Sequence, residues 1–261
     1  MLKDPKKTKD EIVEWIRDYF KNNGPTCSAV IGISGGKDSS VCAALLKEAL
    51  GKDRVVGVLM PNGIQADISD SEALVEFLDI PHVTVNIKDG FDGLSKAINA
   101  ALPEAGIEGV NELSRDSIIN LPPRLRMSTL FAIGQALPNG ARVVNTCNRS
   151  EDYIGYSTKF GDAAGDFSPM SALLVHEVIQ IGEELGLPDF LIHKKPSDGL
   201  SGMTDEDKIG FTYKCLDHYI LTGECEDAAI KAKIDRMHRL NLHKLLPMPA
   251  FKLNESEQTV D

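Results

Sequence analysis

The sequence predicts an α/β fold, an open and doubly wound parallel sheet with helices on both faces and C-terminal helical decoration. Three observations lead to this fold class. Short β-branched runs are mostly apolar throughout, as in strands whose two faces are both covered. They alternate with helical patterns, which favours right-handed strand–helix–strand crossovers. After the fourth run, the chain carries only helical and loop patterns. In such sheets a ligand binds outside the carboxyl ends of the strands.

The elements follow in chain order. Thr8 and Glu11 have the spacing of a capping box, which predicts the start of a first helix that ends near Gly24. The predicted strands are Ser28–Ile33, Val55–Met60, His82–Ile87 and Ala141–Thr146. The helical patterns between them are Ser39–Leu50, Asp67–Leu78 and Gly90–Leu102.

The remaining chain predicts further helices. One is expected to begin just after Pro122-Pro123 and to end near Gly140. Beyond the fourth strand the predicted helices are Ser150–Tyr156, a helix from about Pro169 to Leu185, and two more before about residue 239. No shift in composition marks a boundary, so residues 1–261 are expected to form a single domain.

Composition excludes several classes of partner. The chain has 261 residues and a net charge of −11, and it lacks the basic stripe that nucleic-acid-binding proteins usually carry. No run approaches the ~18 apolar residues of a membrane helix. The five cysteines form no CxxC pair, which is typical of free thiols in a reducing compartment. We therefore expect a cytoplasmic protein with neither a nucleic-acid nor a membrane partner.

The segment Ser34–Ser39, SGGKDS, lies between the first predicted strand and a helix. Its two glycines allow close approach to an anion, while the start of the helix offers free N–H groups and a favourable dipole. Lys37 and the serine hydroxyls add donors. A Walker A loop is excluded because Ile31 occupies its first glycine position and Asp38 follows the lysine. The dinucleotide fingerprint GxGxxG is excluded because Gly32 has no glycine two positions later.

The SGGxDS loop resembles that of the N-type ATP pyrophosphatases, which cleave ATP between its α and β phosphates. Further stretches are similar to the NAD synthetase family: NLPPRLRM at Asn120–Met127, NTCNRSE at Asn145–Glu151 and KFGDAAGD at Lys159–Asp166. Pro196-Ser197, the run Asp205–Asp217 and His243-Lys244 also fall where that family has counterparts. The resemblance covers about residues 12–251 in consistent order, and it implies the adenine nucleotide alpha hydrolase-like fold.

The resemblance also implies an activity and its partners. ATP adenylylates the nicotinate carboxylate of deamido-NAD, pyrophosphate leaves, and ammonia attacks the acyl-adenylate to give NAD and AMP. Adenylylation supplies the leaving group that a carboxylate lacks, and Mg²⁺ with the loop donors stabilises the departing pyrophosphate. Glutamine-dependent relatives carry an added amidase domain, whereas here the synthetase pattern occupies the chain, so free ammonia is the expected donor. Relatives of this family are usually homodimers.

Site residues are carried over from the same resemblance. Asp38 and Glu151 are the expected Mg²⁺ ligands, and Mg²⁺ typically binds one or two protein carboxylates together with phosphate oxygens. The expected ATP-binding residues are Gly32, Ser34, Gly35, Gly36, Lys37, Asp38, Ser39, Thr146 and Ser197. The expected catalytic residues are Asp38, Lys159 and Asp162, with Asp162 accepting a proton from the incoming nitrogen. The expected deamido-NAD contacts are Tyr19, Arg124, Lys159, Asp166, His243 and Lys244.

Alternatives stay open at this point. Leu59 and Val175 stand where relatives often have basic residues near ATP, and Asp116 replaces a residue that is often aromatic. These departures leave room for a variant that acts on nicotinate mononucleotide. A GMP-forming or tRNA-modifying ATP pyrophosphatase is a second alternative, although the acidic charge argues against tRNA. A non-catalytic nucleotide sensor is a third.

Overall fold

Four parallel strands form one sheet in a computed structural model that describes residues 1–194 and 204–252. The strands are β1 (Ser28–Ile33), β2 (Val55–Leu59), β3 (His82–Thr84) and β4 (Ala141–Val143). They lie in the order β3-β2-β1-β4, with Ile31 paired to Gly57 and Val30 paired to Val143. The predicted α/β class with a parallel sheet is confirmed, but β3 and β4 end about three residues earlier than expected.

Eleven α-helices and two short 3₁₀ helices, Lys52–Arg54 and Leu102–Ala105, are present in the described part of the chain. The α-helices before β4 are α1 (Pro5–Asn23), α2 (Lys37–Leu50), α3 (Ile68–Leu78), α4 (Lys88–Ala101) and α5 (Arg115–Ala136). Those after it are α6 (Arg149–Ile154), α7 (Val175–Glu184), α8 (Asp189–Ile192), α9 (Asp205–Ile209), α10 (Tyr213–Thr222) and α11 (Ala228–Leu245). None of these helices combines the length and the apolar character needed to span a membrane.

Strand β1 shows why its sequence is apolar on both faces. Ala29 and Ile31 point into a cluster that includes residues of α1, α2, α3 and α7. Val30, between them, packs with Met127 and Leu130 of α5 on the opposite face. Because successive side chains of a strand alternate between faces, helices must cover both sides of the sheet. This is the doubly wound arrangement that the sequence predicts.

Strand order places a crevice beside β1. From β1 the chain builds outward through α2 to β2 and through α3 to β3, and then α4 and α5 return it to β4 on the other side of β1. The strand order therefore reverses between β1 and β4, and ligands of open α/β sheets bind at such a switch point. The loop 34–36 leaves β1 there, and segment 144–148 leaves β4 at the same edge.

The C-terminal helices form a separate apolar cluster with α6. Ile154 of α6 packs with Phe211, Leu216 of α10 and Ile234 of α11, and all four side chains are buried. Since α6 begins a few residues after β4, this cluster brings the C-terminal helices next to the carboxyl edge of the sheet. The predicted helical decoration is thus the layer that borders the crevice.

Three helix starts were predicted wrongly. Pro122 and Pro123 lie inside the 22-residue α5 rather than before it, because packing of α5 on β1 and β4 outweighs the two lost backbone hydrogen bonds. Helix α1 begins at Pro5, since the Asp4 carboxylate caps it by accepting the Lys7 N–H at 2.9 Å. Helix α7 begins at Val175 and not near residue 169.

A substitution at Gly35 tests the tight contact between the β1–α2 loop and α3. Gly35 has φ +74°, and a Cβ there would lie 2.9 Å from both Asp70 Cβ and Ser71 N. Gly223 has the same φ with open space around it, so Gly223→Ala incurs only the left-handed backbone cost of ~1–2 kcal/mol. We expect Gly35→Ala to lower the free energy of unfolding in urea by more than this control does. Equal losses would show that the loop can move away from α3.

Candidate active site

The loop after β1 is held by its own serines. Ser34 Oγ lies 3.0 Å from Ser39 Oγ and accepts the Gly36 N–H at 3.2 Å. Ser39 Oγ in turn donates to the Gly36 carbonyl at 3.1 Å. The first N–H groups of any α-helix have no intrahelical acceptor, and Gly36, the N-cap of α2, has no side chain to accept from them. The loop therefore presents the donors that an anion requires.

A hydrogen bond crosses the crevice from the β4 side to this loop. Asn148 Nδ2 donates to Asp38 Oδ1 at 2.9 Å, and Asn148 is fully buried as the N-cap of α6. The other oxygen, Asp38 Oδ2, lies 2.7 Å from Lys37 Nζ. Lys37 is 4% exposed. Burial opposes its charge, but the carboxylates of Asp38 and Glu151 outweigh this effect and raise the Lys37 pKa. The site thus contains a buried ammonium.

Glu151 and Asp38 form a carboxylate pair. Burial raises the pKa of Glu151 to about 8, the negative charge of Asp38 adds to the shift, and Lys37 opposes it. The Lys37 charge therefore does not fully compensate the two carboxylates. Their oxygen atoms are the kind of ligand that Mg²⁺ prefers. Within residues 1–194 and 204–252, no three His, Cys, Asp or Glu side chains are grouped to hold a metal ion. This donor set fits an ion that also takes oxygens from a bound phosphate.

A second group of predicted residues is joined through lysine–carbonyl contacts. Lys159 Nζ donates to the carbonyl of His243 at 2.8 Å, and the Lys159 carbonyl accepts from Arg124 Nε at 3.2 Å. Lys244 Nζ donates to the carbonyl of Gly155 at 2.7 Å. These bonds connect the last helix, α11, with α5 and with the loop after α6. Three segments that are far apart in sequence, around residues 124, 155–159 and 243–244, are thereby brought together.

Asp162 lies with this second group and faces Lys244. Its carboxylate accepts the Thr158 N–H at 2.9 Å and is reachable from solvent, yet the protein atoms around it raise its pKa. Burial lowers the pKa of Lys244, and the charge of Asp162 opposes that shift. The Asp162 carbonyl accepts from Asn145 Nδ2 at 2.9 Å. Since Asn145 and Asn148 belong to one segment after β4, that segment connects Asp162 with the carboxylate pair.

Tyr19 and Asp166 form a contact of their own. The Tyr19 hydroxyl donates to the Asp166 carbonyl at 3.2 Å, and the Tyr19 ring stacks on Phe167 with centroids 4.5 Å apart. The Asp166 carboxylate accepts the Val143 N–H of β4 at 2.7 Å. One ring face of Tyr19 is thus covered from within the chain, and the Asp166 carboxylate is engaged by the sheet.

The other predicted residues occupy varied positions. Thr146 is half-buried in the segment after β4, and Gly32 lies inside β1, where a Cβ would meet Met60 Cε at 3.2 Å. Ser197 lies outside the described residues. Of the three departures from the family pattern, Leu59 and Val175 are buried in apolar clusters, and Asp116 is exposed in the first turn of α5.

Sequence reasoning assigned no role to Asn148, Asp205 or Tyr213. Lys37 Nζ lies 5.8 Å from the centroid of the Tyr213 ring, and Asp205 adds negative charge at Glu151. Asn148 stands three residues before Glu151, which is capping-box spacing with an asparagine cap, so the sequence did carry a signal for it. Asp205 and Tyr213 lie in the run that resembles the family, but no spacing rule links them to Lys37.

A sequence profile of the NAD synthase family matches residues 8–256. The chain belongs to the NAD synthase family. A curated family relative, the NH₃-dependent NAD⁺ synthetase of Alkaliphilus metalliredigens, is 39% identical over 92% of this chain and 96% of its own length. That of Carboxydothermus hydrogenoformans is 35% identical over 90% of this chain and 93% of its own length.

Two solved structures share the fold of this chain. The NMN synthetase from Francisella tularensis has a TM-score of 0.82 and 32% identity, covering 95% of this chain and 99% of that one. The NH₃-dependent NAD synthetase from Campylobacter jejuni has a TM-score of 0.74 and 26% identity, covering 96% of this chain and 100% of that one. The adenine nucleotide alpha hydrolase-like fold that the resemblance implied is therefore confirmed.

The pKa of Asp152 generates a prediction about pH and stability. Burial raises this pKa to about 6, and the charge of Asp162 adds to the shift. Because the folded pKa exceeds the unfolded value of ~3.9, the folded state binds more protons between about pH 4 and 6, and Asp152 makes stability fall as pH rises through that window. We expect Asp152→Asn to remove this contribution and to raise the unfolding temperature at pH 8.

Thermal unfolding of the Asp152→Asn variant from pH 4 to pH 8 measures this effect. Asp89→Asn is the control, since Asp89 lies in the first turn of α4 as Asp152 lies in the first turn of α6, but the Asp89 side chain is exposed. A parallel shift of the wild-type and Asp152→Asn profiles, with no change of slope, would contradict the assignment.

Proposed function

We propose that this NAD synthase family member amidates deamido-NAD with free ammonia and ATP, releasing NAD, AMP and pyrophosphate. The observation that carries the proposal is the hydrogen bond from Asn148 to Asp38, because it brings the phosphate-type loop and the carboxylate pair together at the switch point. The relatives that are 39% and 35% identical, both described as NH₃-dependent NAD⁺ synthetases, support the same reaction.

In the first step, a carboxylate oxygen of deamido-NAD attacks the α-phosphorus of ATP. The bond from that phosphorus to the oxygen bridging to the β-phosphate breaks, and pyrophosphate leaves. Ser34, Ser39 and the N–H groups at the start of α2 would bind the leaving pyrophosphate, since they are the donors that this loop and helix start offer to an anion. Buried Lys37 would add a fixed positive charge. The proposed ATP site is completed by Gly32, Gly35, Gly36, Thr146 and Ser197.

Asp38 and Glu151 would hold Mg²⁺, which would neutralise part of the phosphate charge. The raised pKa of Glu151 supports this assignment, since a nearby divalent cation relieves the repulsion between two carboxylates. Asn148 fixes one oxygen of Asp38 and so orients that carboxylate within the crevice. The chain itself supplies positioning and charge for the step.

In the second step, ammonia attacks the acyl carbon, the bond from that carbon to the AMP oxygen breaks, and the nitrogen must lose a proton. Asp162 is the proposed acceptor, and its raised pKa makes it a stronger base than an ordinary aspartate. Lys159 would lie near the reacting carboxylate. Arg124, His243 and Lys244 lie in the same group, and with Tyr19 and Asp166 they are the proposed deamido-NAD contacts.

We propose that residues 1–261 act as one domain, since the residues of this proposed site come from elements that range from α1 to α11.

The activity assay is direct. Purified protein is mixed with ATP, MgCl₂, NH₄Cl and deamido-NAD, and the formation of NAD and AMP is followed by chromatography. We expect both products without glutamine. If neither forms, the chain does not catalyse this reaction.

Nicotinate mononucleotide is the second candidate substrate. The observation in its favour is the TM-score of 0.82 with an NMN synthetase. The same assay with this mononucleotide in place of deamido-NAD compares the two substrates by kcat/KM. A higher kcat/KM for the mononucleotide would transfer the proposal to the smaller substrate while leaving the chemistry unchanged.

Asp38→Asn tests the carboxylate pair. The amide keeps the size of the side chain but removes one of the two charges proposed to hold Mg²⁺, so we expect kcat/KM to fall at least ~10²-fold. Asp89→Asn removes an exposed carboxylate from the first turn of α4 and controls for the general effect of charge at a helix start. Equal activity of the two variants would remove Asp38 from the mechanism.

We also propose that the chain forms a homodimer through α4 and the first half of α5. None of the residues of α4 is buried, and Leu94, Ile118 and Ile119 are 41%, 48% and 56% exposed. Such an apolar surface is typical of an interface. A second copy of the chain is the proposed partner, in keeping with the homodimers that the resemblance implies.

Light scattering coupled to gel filtration tests this assembly. We expect the wild type to elute at twice its chain mass of 28.4 kDa and Ile119→Asp to elute as a monomer. Leu221→Asp is the control, since Leu221 is equally exposed at 55% but lies on α10. A wild-type monomer, or a dimer that survives Ile119→Asp, would contradict the proposed interface.

A cytoplasmic location is the remaining proposal. All five cysteines are free, and Cys27, Cys42 and Cys147 are buried. Free thiols are typical of proteins that stay in a reducing compartment.

A further inference from the structure

A buried phenol lies beside the proposed ATP site without a hydrogen-bond partner. Tyr213 is the first residue of α10 and is 5% exposed. Among residues 1–194 and 204–252, no atom accepts from or donates to its hydroxyl. Buried tyrosine hydroxyls usually find a partner, because an unsatisfied buried polar group is costly. A buried donor of this kind suggests that a ligand supplies the acceptor.

The surroundings of Tyr213 identify the chemistry of that ligand. Its ring centroid lies 5.8 Å from Lys37 Nζ, at the start of α2. Burial raises the pKa of the phenol far above its usual value, and the charges of Glu151, Asp205 and Asp38 raise it further. The hydroxyl therefore stays protonated and can donate at any physiological pH. A neutral hydroxyl donor on a ring that lies near a buried ammonium suits an anionic oxygen.

Tyr213 is also fixed in place before any ligand binds. Its backbone N–H donates to Glu206 Oε1 at 2.7 Å, and the Thr212 side chain caps α10. Its ring packs in the apolar cluster that includes Ile154 and Phe211. A donor held rigidly by the fold stabilises charge without the cost of reorganising when the ligand arrives.

Another buried tyrosine of the same helix provides a contrast. Tyr219 is 8% exposed, and its hydroxyl donates to Asp235 Oδ1 at 2.5 Å and accepts from Lys231 Nζ at 2.9 Å. Burial of a phenol in this helical layer is thus compatible with a full set of partners. The tyrosine whose hydroxyl has no partner in the described part of the chain is the one whose ring lies 5.8 Å from Lys37 Nζ.

We propose that the Tyr213 hydroxyl donates a hydrogen bond to a phosphate oxygen of ATP, which makes Tyr213 a further binding residue for the reaction. The inference rests on the proposed function, in which ATP is the substrate bound by the loop after β1. The hydroxyl acts from the C-terminal helical layer, while the loop donors act from the sheet. The phosphate chain would then be held from two sides.

The test compares Tyr213→Phe with Tyr219→Phe. Phenylalanine keeps the ring at each position and removes only the hydroxyl. Binding of α,β-methylene-ATP, which cannot be cleaved at the α–β position, is measured by calorimetry with and without Mg²⁺. The unfolding temperature of each ligand-free variant is measured in parallel.

We expect opposite patterns from the two variants. Tyr213→Phe weakens binding of the analogue about tenfold, in the range for a lost hydrogen bond to a charged group, and its unfolding temperature is unchanged or higher. Tyr219→Phe unfolds at a lower temperature, because Asp235 and Lys231 lose a partner, and it binds the analogue as the wild type does.

Three results would overturn the inference. Wild-type affinity in Tyr213→Phe would remove the hydroxyl from the ATP site, and the same affinity with a lowered unfolding temperature would give it a structural role instead. A loss of affinity seen only with Mg²⁺ would replace the direct phosphate contact by one made through the metal. Failure of the wild type to bind the analogue would contradict the proposed function itself, and that failure appears before any variant is compared.

Discussion

The site depends on one hydrogen bond, from Asn148 to Asp38, that spans the crevice between two strands. Strands β1 and β4 are neighbours in the sheet, yet Asp38 and Asn148 lie more than a hundred residues apart, so their hydrogen bond bears directly on the relative position of the loops that leave the two strands. Asn148 fixes it because the same amide side chain caps α6 and holds Asp38. One buried side chain therefore contacts both helices that carry the proposed Mg²⁺ ligands, α2 and α6, and positions their first turns relative to each other.

This arrangement would allow an acidic chain to bind the two proposed nucleotides. The net charge of −11 is spread over the molecule, whereas the site has only a few positive groups, among them Lys37 directly after the β1–α2 loop. Lys37 is shielded from water, so its charge is little screened and acts strongly over a short distance. Backbone N–H groups at the start of α2 add favourable dipoles without adding net charge. The electrostatic field at the site and the net charge of the chain are independent properties. The proposed reaction depends on the field at the site.

Local sequence signals accounted for the sheet and for the phosphate-type loop. The β-branched run Ser28–Ile33 and the glycines after it determine a strand and a turn through short-range physics, and the structure agrees with both. Pro122 and Pro123 were misjudged because their cost is local while the compensation comes from α5 packing on two strands. Tyr213 received no role because its meaning depends on contact with Lys37, which only tertiary structure reveals.

The contacts between lysines and carbonyls of distant segments could not be predicted from the sequence either, because they too depend on tertiary structure. Lys159 and Lys244 were assigned to the site by family resemblance, but their bonds to the carbonyls of His243 and Gly155 depend on where α11 lies. A lysine pattern cannot predict a backbone acceptor, since every residue offers a carbonyl. The sequence identified Lys159 and Lys244 as members of the proposed site, and the structure shows which atoms they contact.

The capping box of α6 gives Glu151 two tasks at once. Its carboxylate faces the N–H of Asn148 and so helps to start the helix, and it is also the proposed partner of Asp38 in holding a cation. If the oxygen that accepts from Asn148 also bound a cation, ion binding and the order of this short helix would be linked equilibria. Because Asn148 caps that helix and also bonds Asp38, the start of α6 and the β1–α2 loop share one side chain.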